Sequence, residues 1–364
     1  MRGDEPGPIS LSARLPDGLV GRAAELAAIQ RMVGRGRLVT ITGPPGVGKT
    51  AVGIAAAMRT NFADGAWLVT LDSLRDEDLL PHTIADALKV PDQLTRNRLE
   101  ALVDELRDRR LLLVLDTCEH LIGACASLAM TLLLTPCRDV RILATSRESL
   151  RVPGGLTVTI SPLPLRHAVA MFGRRAAEAA PGFRITPENR ETVEAICRRL
   201  DRLPLAIDLA ARQLAFGSVE QLRSRLQADY WFLRNSEDSP ARHESLRTAI
   251  GWSHQLCTPA ERLLWARLSV FTGSFQLQDA QDVCADRHLS EQAVATAVTM
   301  LGVRSILLMD RQTDRQARFR LPTIVRAYGA GMLRRLGGDD EWQRRYRAWL
   351  QAHRSGHGQT DENN

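Results

Sequence analysis

Lysine is nearly absent from this 364-residue chain: of its 48 Lys+Arg residues only Lys49 and Lys89 are lysines. The arginines are interspersed with acids on what read as polar helix faces, so no basic stripe stands out. The net charge of +6 permits contact with nucleic acid or an acidic partner without requiring it. The six cysteines, at 118, 125, 137, 197, 257 and 284, include no C-x-x-C pair. A zinc site therefore has no support, and buried free thiols in a reducing compartment are expected. The opening MRGDEPGPIS places acids and prolines where a signal peptide needs an apolar core. The longest apolar run, LIGACASLAMTLLLT (121–135), is shorter than the ~18–20 residues of a bilayer span. It contains Gly, Ser and Thr and ends at Pro136, so it reads as a buried helix. A cytoplasmic protein with no membrane partner is expected. Hydrophobic and charged fractions of 44% and 25% exclude collagen-like, mucin-like and wholly disordered chains. The length allows about two to three domains, and no internal repeat is visible.

What is present begins with alternating patterns. Residues 1–14 are Pro/Gly-rich and expected to be disordered. A helix is predicted over 23–33, then a strand at 38–43, a glycine-rich turn and a helix at 49–59. A strand at 67–74, helices at 77–89 and 97–109, and strands at 111–116 and 141–147 follow. Short apolar strands alternating with helices predict a parallel sheet covered by helices. After residue 156 the pattern becomes helical: 165–180, 188–200, 203–215 and 218–228. A polar linker, RNSEDSPAR (234–242), leads to helices at 243–256, 260–269 and 290–301. The second of these has Thr258 as N-cap, Pro259 at N1 and Glu261 at N3. Two β-like runs, 306–310 and 317–321, flank RQTDRQ, and a helix at 323–336 closes a winged-helix pattern. The expected organisation is a P-loop domain over 15–160, a helical domain over 161–235, a winged-helix domain over 236–350 and a disordered tail over 351–364.

The chemistry is concentrated in GPPGVGKT (43–50), which fulfils G-x-x-x-x-G-K-[ST] between a strand and a helix. Gly43, Gly46 and Gly48 let backbone N–H groups turn toward phosphate oxygens, with Pro44, Pro45, Val47 and Ala51 completing the cradle. The helix N-terminus adds partial positive charge. Lys49 suits the β- and γ-phosphates, and Thr50 offers a hydroxyl to Mg²⁺. In LLLVLDTCEH (111–120), Asp116 ends a buried strand and is the second Mg²⁺ candidate. Many ATPases carry a second acid where this chain has Thr117, so hydrolysis is expected to be slow. Glu119 is the nearby candidate for the base, and His120 reads as structural. ATSR (144–147) ends the next strand with Arg147, a candidate γ-phosphate sensor. Pro204, in RLPLAIDLAA (202–211), opens an apolar helix and is a candidate for packing on the adenine.

Together these motifs resemble the STAND class of P-loop NTPases in the NB-ARC style. The ATPase module of actinobacterial Streptomyces antibiotic regulatory proteins and LuxR-type regulators is the nearest likeness. LPDGLVGRAAEL (15–26) resembles that family's opening motif, which implies Val20, Gly21 and Arg22 near the adenine. ATSRESL resembles its sensor 1 segment, with Arg147 as the sensor, and RLPLAIDLAA its GLPLA motif, with Arg202 in place of glycine. Residues 245–275 and RFRLPTIVRAYG (318–329) resemble the opening and close of its winged helix. Leu321-Pro322-Thr323 stands where relatives carry a phosphate-binding MHD triplet, so that histidine is absent here.

The resemblance implies a closed ADP-bound state and an open ATP-bound state that can oligomerise. It also implies a winged helix that controls opening rather than reading DNA. The expected function is an ATP/ADP switch with slow Mg²⁺-dependent hydrolysis in transcription or signalling, either alone or as the core of a larger regulator. The partner would be an unidentified protein, with direct DNA contact permitted but not favoured. Two alternatives stay open: an AAA-like ATPase that loads or remodels nucleic acid, and an interaction module with an inactive site. The intact Lys49, Thr50 and Asp116 speak against the last.

Overall fold

LVTIT, LLVLD and RILAT offer almost no side chain suited to a solvated face, and each forms an interior strand of a parallel sheet. In the computed structural model they are β1 (Leu38–Thr42), β3 (Leu112–Asp116) and β4 (Arg141–Thr145). With β2 (Ala66–Thr70) and β5 (Leu156–Thr159) they make five parallel strands in the order β2-β3-β4-β1-β5. The structure describes residues 19–90, 98–135, 137–233, 245–310 and 317–356. The segments expected at 1–14, at the 234–242 linker and at 311–316 lie outside these. The chain divides into two compact units, residues 1–167 and 168–364.

In the first unit the helices are α1 (Ala23–Arg35), α2 (Lys49–Ala57), α3 (Leu80–Ala87), α4 (Arg98–Leu106) and α5 (Ile122–Leu134). Leu80, Ile84, Leu102, Leu128 and Leu132 pack with Leu113, Leu115 and Ile142 into one apolar core. The 121–135 run is thus mostly the buried helix expected of it, although Leu134 is exposed. The edge strand β5 was not expected. Its four residues alternate half-buried and exposed, too short a pattern to stand out in the sequence.

The second unit contains α6 (Leu165–Ala179, which begins at the boundary), α7 (Pro187–Arg199), α8 (Pro204–Arg212) and α9 (Val219–Ala228). Beyond them lie α10 (Leu246–Gln255), α11 (Pro259–Leu268), β6 (Phe275–Gln276), α12 (Leu277–Cys284), α13 (Glu291–Val303), β7 (Leu308–Asp310), β8 (Arg318–Arg320), α14 (Thr323–Arg335) and α15 (Asp339–Gly356). The three short strands pair antiparallel in the order β6-β8-β7, the wing of the winged helix. The expected capping box opens α11: Glu261 N–H donates to Thr258 Oγ1 at 3.3 Å, and Thr258 N–H to Glu261 Oε2 at 2.9 Å. Gly329 lets α14 meet α11, because a Cβ there would lie 2.9 Å from both the Trp265 ring and the Trp265 carbonyl oxygen. Trp265 Nε1 donates to Val325 O at 2.9 Å across the same contact.

Two helices go beyond the sequence reading. In α12 only Ala280, Val283 and Cys284 face inward, a weak apolar signal. In α15, Trp342, Tyr346 and Trp349 recur at helical spacing, and Tyr346 and Trp349 meet Phe271 at 4.9 and 5.9 Å between ring centroids. Residues 351–356, expected in a disordered tail, continue this helix, with the His353 ring 4.4 Å from that of Trp349 one turn earlier. Residues 357–364 lie outside the described residues. All six cysteines are buried and unbridged. Among the described residues, no helix is long and apolar enough to cross a membrane.

Candidate functional site

Between the end of β1 and the start of α2, six residues must reverse the chain and expose their amides. The glycines make this possible. Gly43, Gly46 and Gly48 have φ of +149°, +74° and +94°, conformations that L side chains avoid. At Gly43 the fit is also steric, since a Cβ would lie 2.5 Å from Ile160 O beyond β5. Gly48 meets nothing within 4 Å, so its requirement is purely conformational. Pro44, Pro45 and Val47 are buried beneath the loop, and Ala51 is half-buried in the first turn of α2. That turn has neither a side-chain cap nor an acidic residue, which leaves its N–H groups and positive dipole end to an anion. Lys49 folds back over the loop, its Nζ donating to Gly43 O at 2.9 Å and Pro44 O at 3.2 Å.

Asp116 lies at the end of β3, 1% exposed. Its Oδ1 accepts from Thr50 Oγ1 at 2.7 Å and Thr145 Oγ1 at 2.6 Å, and its Oδ2 accepts from Thr117 Oγ1 at 3.3 Å. Thr145 Oγ1 also accepts from Thr117 N–H at 3.0 Å. Thr145, from the strand between β1 and β3, is thus a member of the site that the sequence reading passed over. Its only signal was a threonine at the end of an apolar strand. Thr117 has φ +71°, a strained conformation for a β-branched residue.

Glu119 and Arg147, expected as base and sensor, are ion-paired: Arg147 Nε donates to Glu119 Oε1 at 3.1 Å, with 6% and 9% of the side chains exposed. Burial pushes the Glu119 carboxyl up. The charges of Arg147 and then Lys49 outweigh it and hold the group below the usual carboxylate range. His120 pairs with Leu74 O at 2.8 Å, in keeping with a structural role.

Upstream, Val20 is half-buried and Gly21 has φ +70°, with His167 so close that a Cβ would fall 2.4 Å from its ring. Arg22 is 3% exposed. Its guanidinium donates to Val47 O of the loop at 3.0 Å, Ser161 O at 2.8 Å and Glu25 Oε1 at 2.7 Å. The residue expected near the adenine is placed as a strut between the opening segment, the glycine-rich loop and the chain after β5.

Pro204 belongs to the second unit, half-buried at the first position of α8. Just before it, Asp201 and Arg202 have φ of +52° and +58°, a left-handed conformation that glycine adopts freely and other residues seldom do. Asp201 was not singled out from the sequence. Its carboxylate accepts from Thr323 Oγ1 at 3.1 Å and Ile324 N–H at 3.2 Å, so it holds the triplet Leu321-Pro322-Thr323. Burial pushes its carboxyl up despite these bonds and the nearby Arg320.

Comparison with known proteins agrees with this architecture. A family model described as a winged helix-turn-helix domain matches residues 258–334. A Mycobacterium tuberculosis protein with the provisional name of an HTH-type transcriptional regulator is 36% identical over 315 residues. The match covers 86% of this chain but 35% of that protein, so the chain spans about a third of the regulator's length. An uncharacterised M. tuberculosis protein is 36% identical over 336 residues, 91% of this chain and 85% of its own length. Among solved structures, the Walker-type ATPase of Pyrococcus abyssi superposes with a TM-score of 0.59 at 14% identity, over 86% of this chain and 97% of its own. The Aeropyrum pernix ORC2 protein, solved as ADPNP–ADP complexes, gives 0.52 at 15% identity over 88% and 96%. The fold is that of P-loop ATPases joined to a winged helix-turn-helix.

Proposed function

Because the chain belongs to the same family as the uncharacterised M. tuberculosis protein, which it matches over most of both lengths, we propose that it is an ATP/ADP-binding switch with slow hydrolysis, acting in transcriptional regulation or signalling. The observation that carries this reading is the pairing of Thr50 with Asp116 beneath a loop whose three glycines and uncapped helix leave their amides to an anion. Gly43, Gly46, Gly48 and Lys49 would hold phosphates, and Lys49 would exchange its two loop carbonyls for phosphate oxygens. Arg147 would sense the γ-phosphate. Val20 and Gly21 are the proposed neighbours of the base, with Arg22 holding their segment to the loop.

Mg²⁺ is usually held by one or two protein oxygens together with phosphates and water. Thr50 Oγ1 and Asp116 Oδ1, 2.7 Å apart, are two such hard oxygens at the mouth of the loop. Bound there, the ion would supply charge to offset the phosphates. Thr117, in place of a second acid, fits slow turnover and hence a switch.

The regulator among the relatives supports a role in transcription, and the ORC2 neighbour was solved with ADPNP and ADP. The winged helix-turn-helix match favours a second reading, nucleic-acid loading. Against it, α13, the helix preceding the wing, contains Glu291 and no basic residue. Homo-oligomerisation in the ATP state belongs to the first reading.

The test is calorimetric. The wild type should bind ATP and ADP, and Lys49→Ala should lose tight ATP binding. Unchanged affinity in Lys49→Ala would remove the P-loop assignment. Filter binding across a salt series separates the readings, since a nucleic-acid loader shows a steep salt slope.

A further inference from the structure

The Glu119–Arg147 pair has a feature that a base-and-sensor reading leaves unused. Arg147 follows β4 by two residues, and Glu119 sits in the short turn after β3. The same two strands contribute Thr145 and Asp116 to the site, so the pair hangs from the strand ends that hold Asp116. The bond runs through Nε, the inner edge of the guanidinium. An arginine held at Nε has its orientation set, and its two terminal nitrogens lie at the far end of the planar fork. The Lys49 charge also acts on the Glu119 carboxylate, which places the pair within the field of the phosphate loop. A carboxylate stabilised as an ion by two cations is a poor proton acceptor and a good anchor.

We propose that Glu119 is a positioning residue: it grips Arg147 at Nε and aims the guanidinium for the γ-phosphate, so that discrimination of ATP from ADP depends on a carboxamide or carboxylate oxygen at position 119. The inference rests on the nucleotide-switch reading above and assigns Glu119 a role distinct from the base.

The substitutions have unlike consequences. Glu119→Gln keeps an oxygen acceptor for Nε and removes a negative charge that opposes a phosphate. Glu119→Ala removes the acceptor and leaves a buried arginine without its anchor. The expected order of ATP affinity is Gln at or above wild type, with Ala about tenfold or more below it, while ADP affinity stays within about twofold in both variants. A bulk structural role would weaken both nucleotides together, and Gln would not rescue Ala.

The experiment measures ATPγS and ADP affinities, with Mg²⁺, for wild type, Glu119→Gln, Glu119→Ala, Arg147→Ala and the Glu119→Ala/Arg147→Ala double variant. Thermal unfolding of each accompanies it. If Glu119 acts through Arg147, its loss adds nothing once Arg147 is gone, so the double variant matches Arg147→Ala. Additive losses, equal weakening of both nucleotides, or Gln as poor as Ala would overturn the proposal. If Glu119→Ala does not fold, Glu119→Met, close to Gln in size but without the oxygen acceptor, replaces it: ATPγS affinity about tenfold below that of Glu119→Gln with ADP unchanged upholds the proposal, and equal ATPγS affinity in the two variants overturns it. A wild type that binds neither nucleotide overturns the switch reading itself. A wild type whose binding depends on Lys49 but is indifferent to Glu119 overturns only the positioning role.

Discussion

Replacing Asp116 with asparagine separates its structural role from its charge. The carboxylate accepts three hydroxyls, from Thr50 and Thr145 on Oδ1 and Thr117 on Oδ2. Asparagine retains Oδ1, so the two short bonds survive as neutral ones. Thr117 can turn its hydroxyl to accept from the new amide. Bonds to a charged acceptor contribute about 1.5–3 kcal/mol and neutral ones about 0.5–1.5 kcal/mol. The two short bonds together therefore lose about 2–3 kcal/mol. A carboxylate buried to 1% exposure also carries a desolvation penalty of several kcal/mol that asparagine avoids. The terms oppose each other, and net stability should change by no more than about 1 kcal/mol, a few degrees in Tm. The effect on Mg²⁺ is one-sided. At an effective permittivity near 20, a carboxylate and a divalent ion about 4 Å apart interact by about 8 kcal/mol. A quarter of that, after solvent screening and with the amide oxygen still present, is about a 30-fold loss in affinity. Asp116→Asn should therefore fold, bind ADP without Mg²⁺ as the wild type does, and lose most of the Mg²⁺ enhancement of ATP binding and turnover. Calorimetry with and without Mg²⁺, phosphate release and thermal unfolding measure these quantities. Mg²⁺ enhancement within about twofold of wild type would refute the metal role, and a variant that unfolds would refute the compensation argued from its hydrogen bonds.

Within α14, Gly329→Ala should destabilise by about 1–3 kcal/mol, because its Cβ meets Trp265 backbone and ring at 2.9 Å. Gly331→Ala, two residues along with nothing within 4 Å, should stabilise by about 0.5–1 kcal/mol; urea unfolding distinguishes them. Burial raises the Asp201 carboxyl above its unfolded value, so the folded form binds the extra proton. Its contribution to stability is full below the ordinary aspartate range near pH 3.9 and declines as pH rises through the higher folded pKa. Asp201→Asn should abolish that component, so its Tm relative to wild type should climb as pH rises above the ordinary aspartate range and level off once the folded carboxyl has ionised. A flat difference across the series would show that Asp201 does not titrate in that way.

The legible parts of this protein are those written in adjacent residues. Continuous apolar runs located β1, β3 and β4, GPPGVGKT located the loop, and Thr258-Pro259-x-Glu261 located the start of α11. β5 escaped because an edge strand of four residues buries too little to show a pattern. α12 escaped because only three of its residues face the core. α15 was legible in its Trp342, Tyr346 and Trp349 spacing and was passed over because arginines dominate its composition. Partnerships across the fold were a different matter. That Thr145 bonds Asp116, that Asp201 holds Thr323 and that Glu119 grips Arg147 depend on which strand or helix lies beside which. Neither spacing nor residue type encodes that order locally.

The Arg22 strut bears on how this protein can be cut into pieces. The motif chemistry begins at Gly43, and a fragment opening at Ala23 would retain the first helix, the whole glycine-rich loop and every strand. It would lack the one guanidinium that joins Val47 O to Ser161 O. The Val47 carbonyl in the loop and the Ser161 carbonyl after β5 would lose their shared donor, and the left-handed turn at Gly21 that brings the chain against His167 would vanish with it. The indivisible unit of the P-loop fold thus starts upstream of its first helix, and a boundary drawn at the first regular element would yield a protein with an intact motif and an unbraced loop.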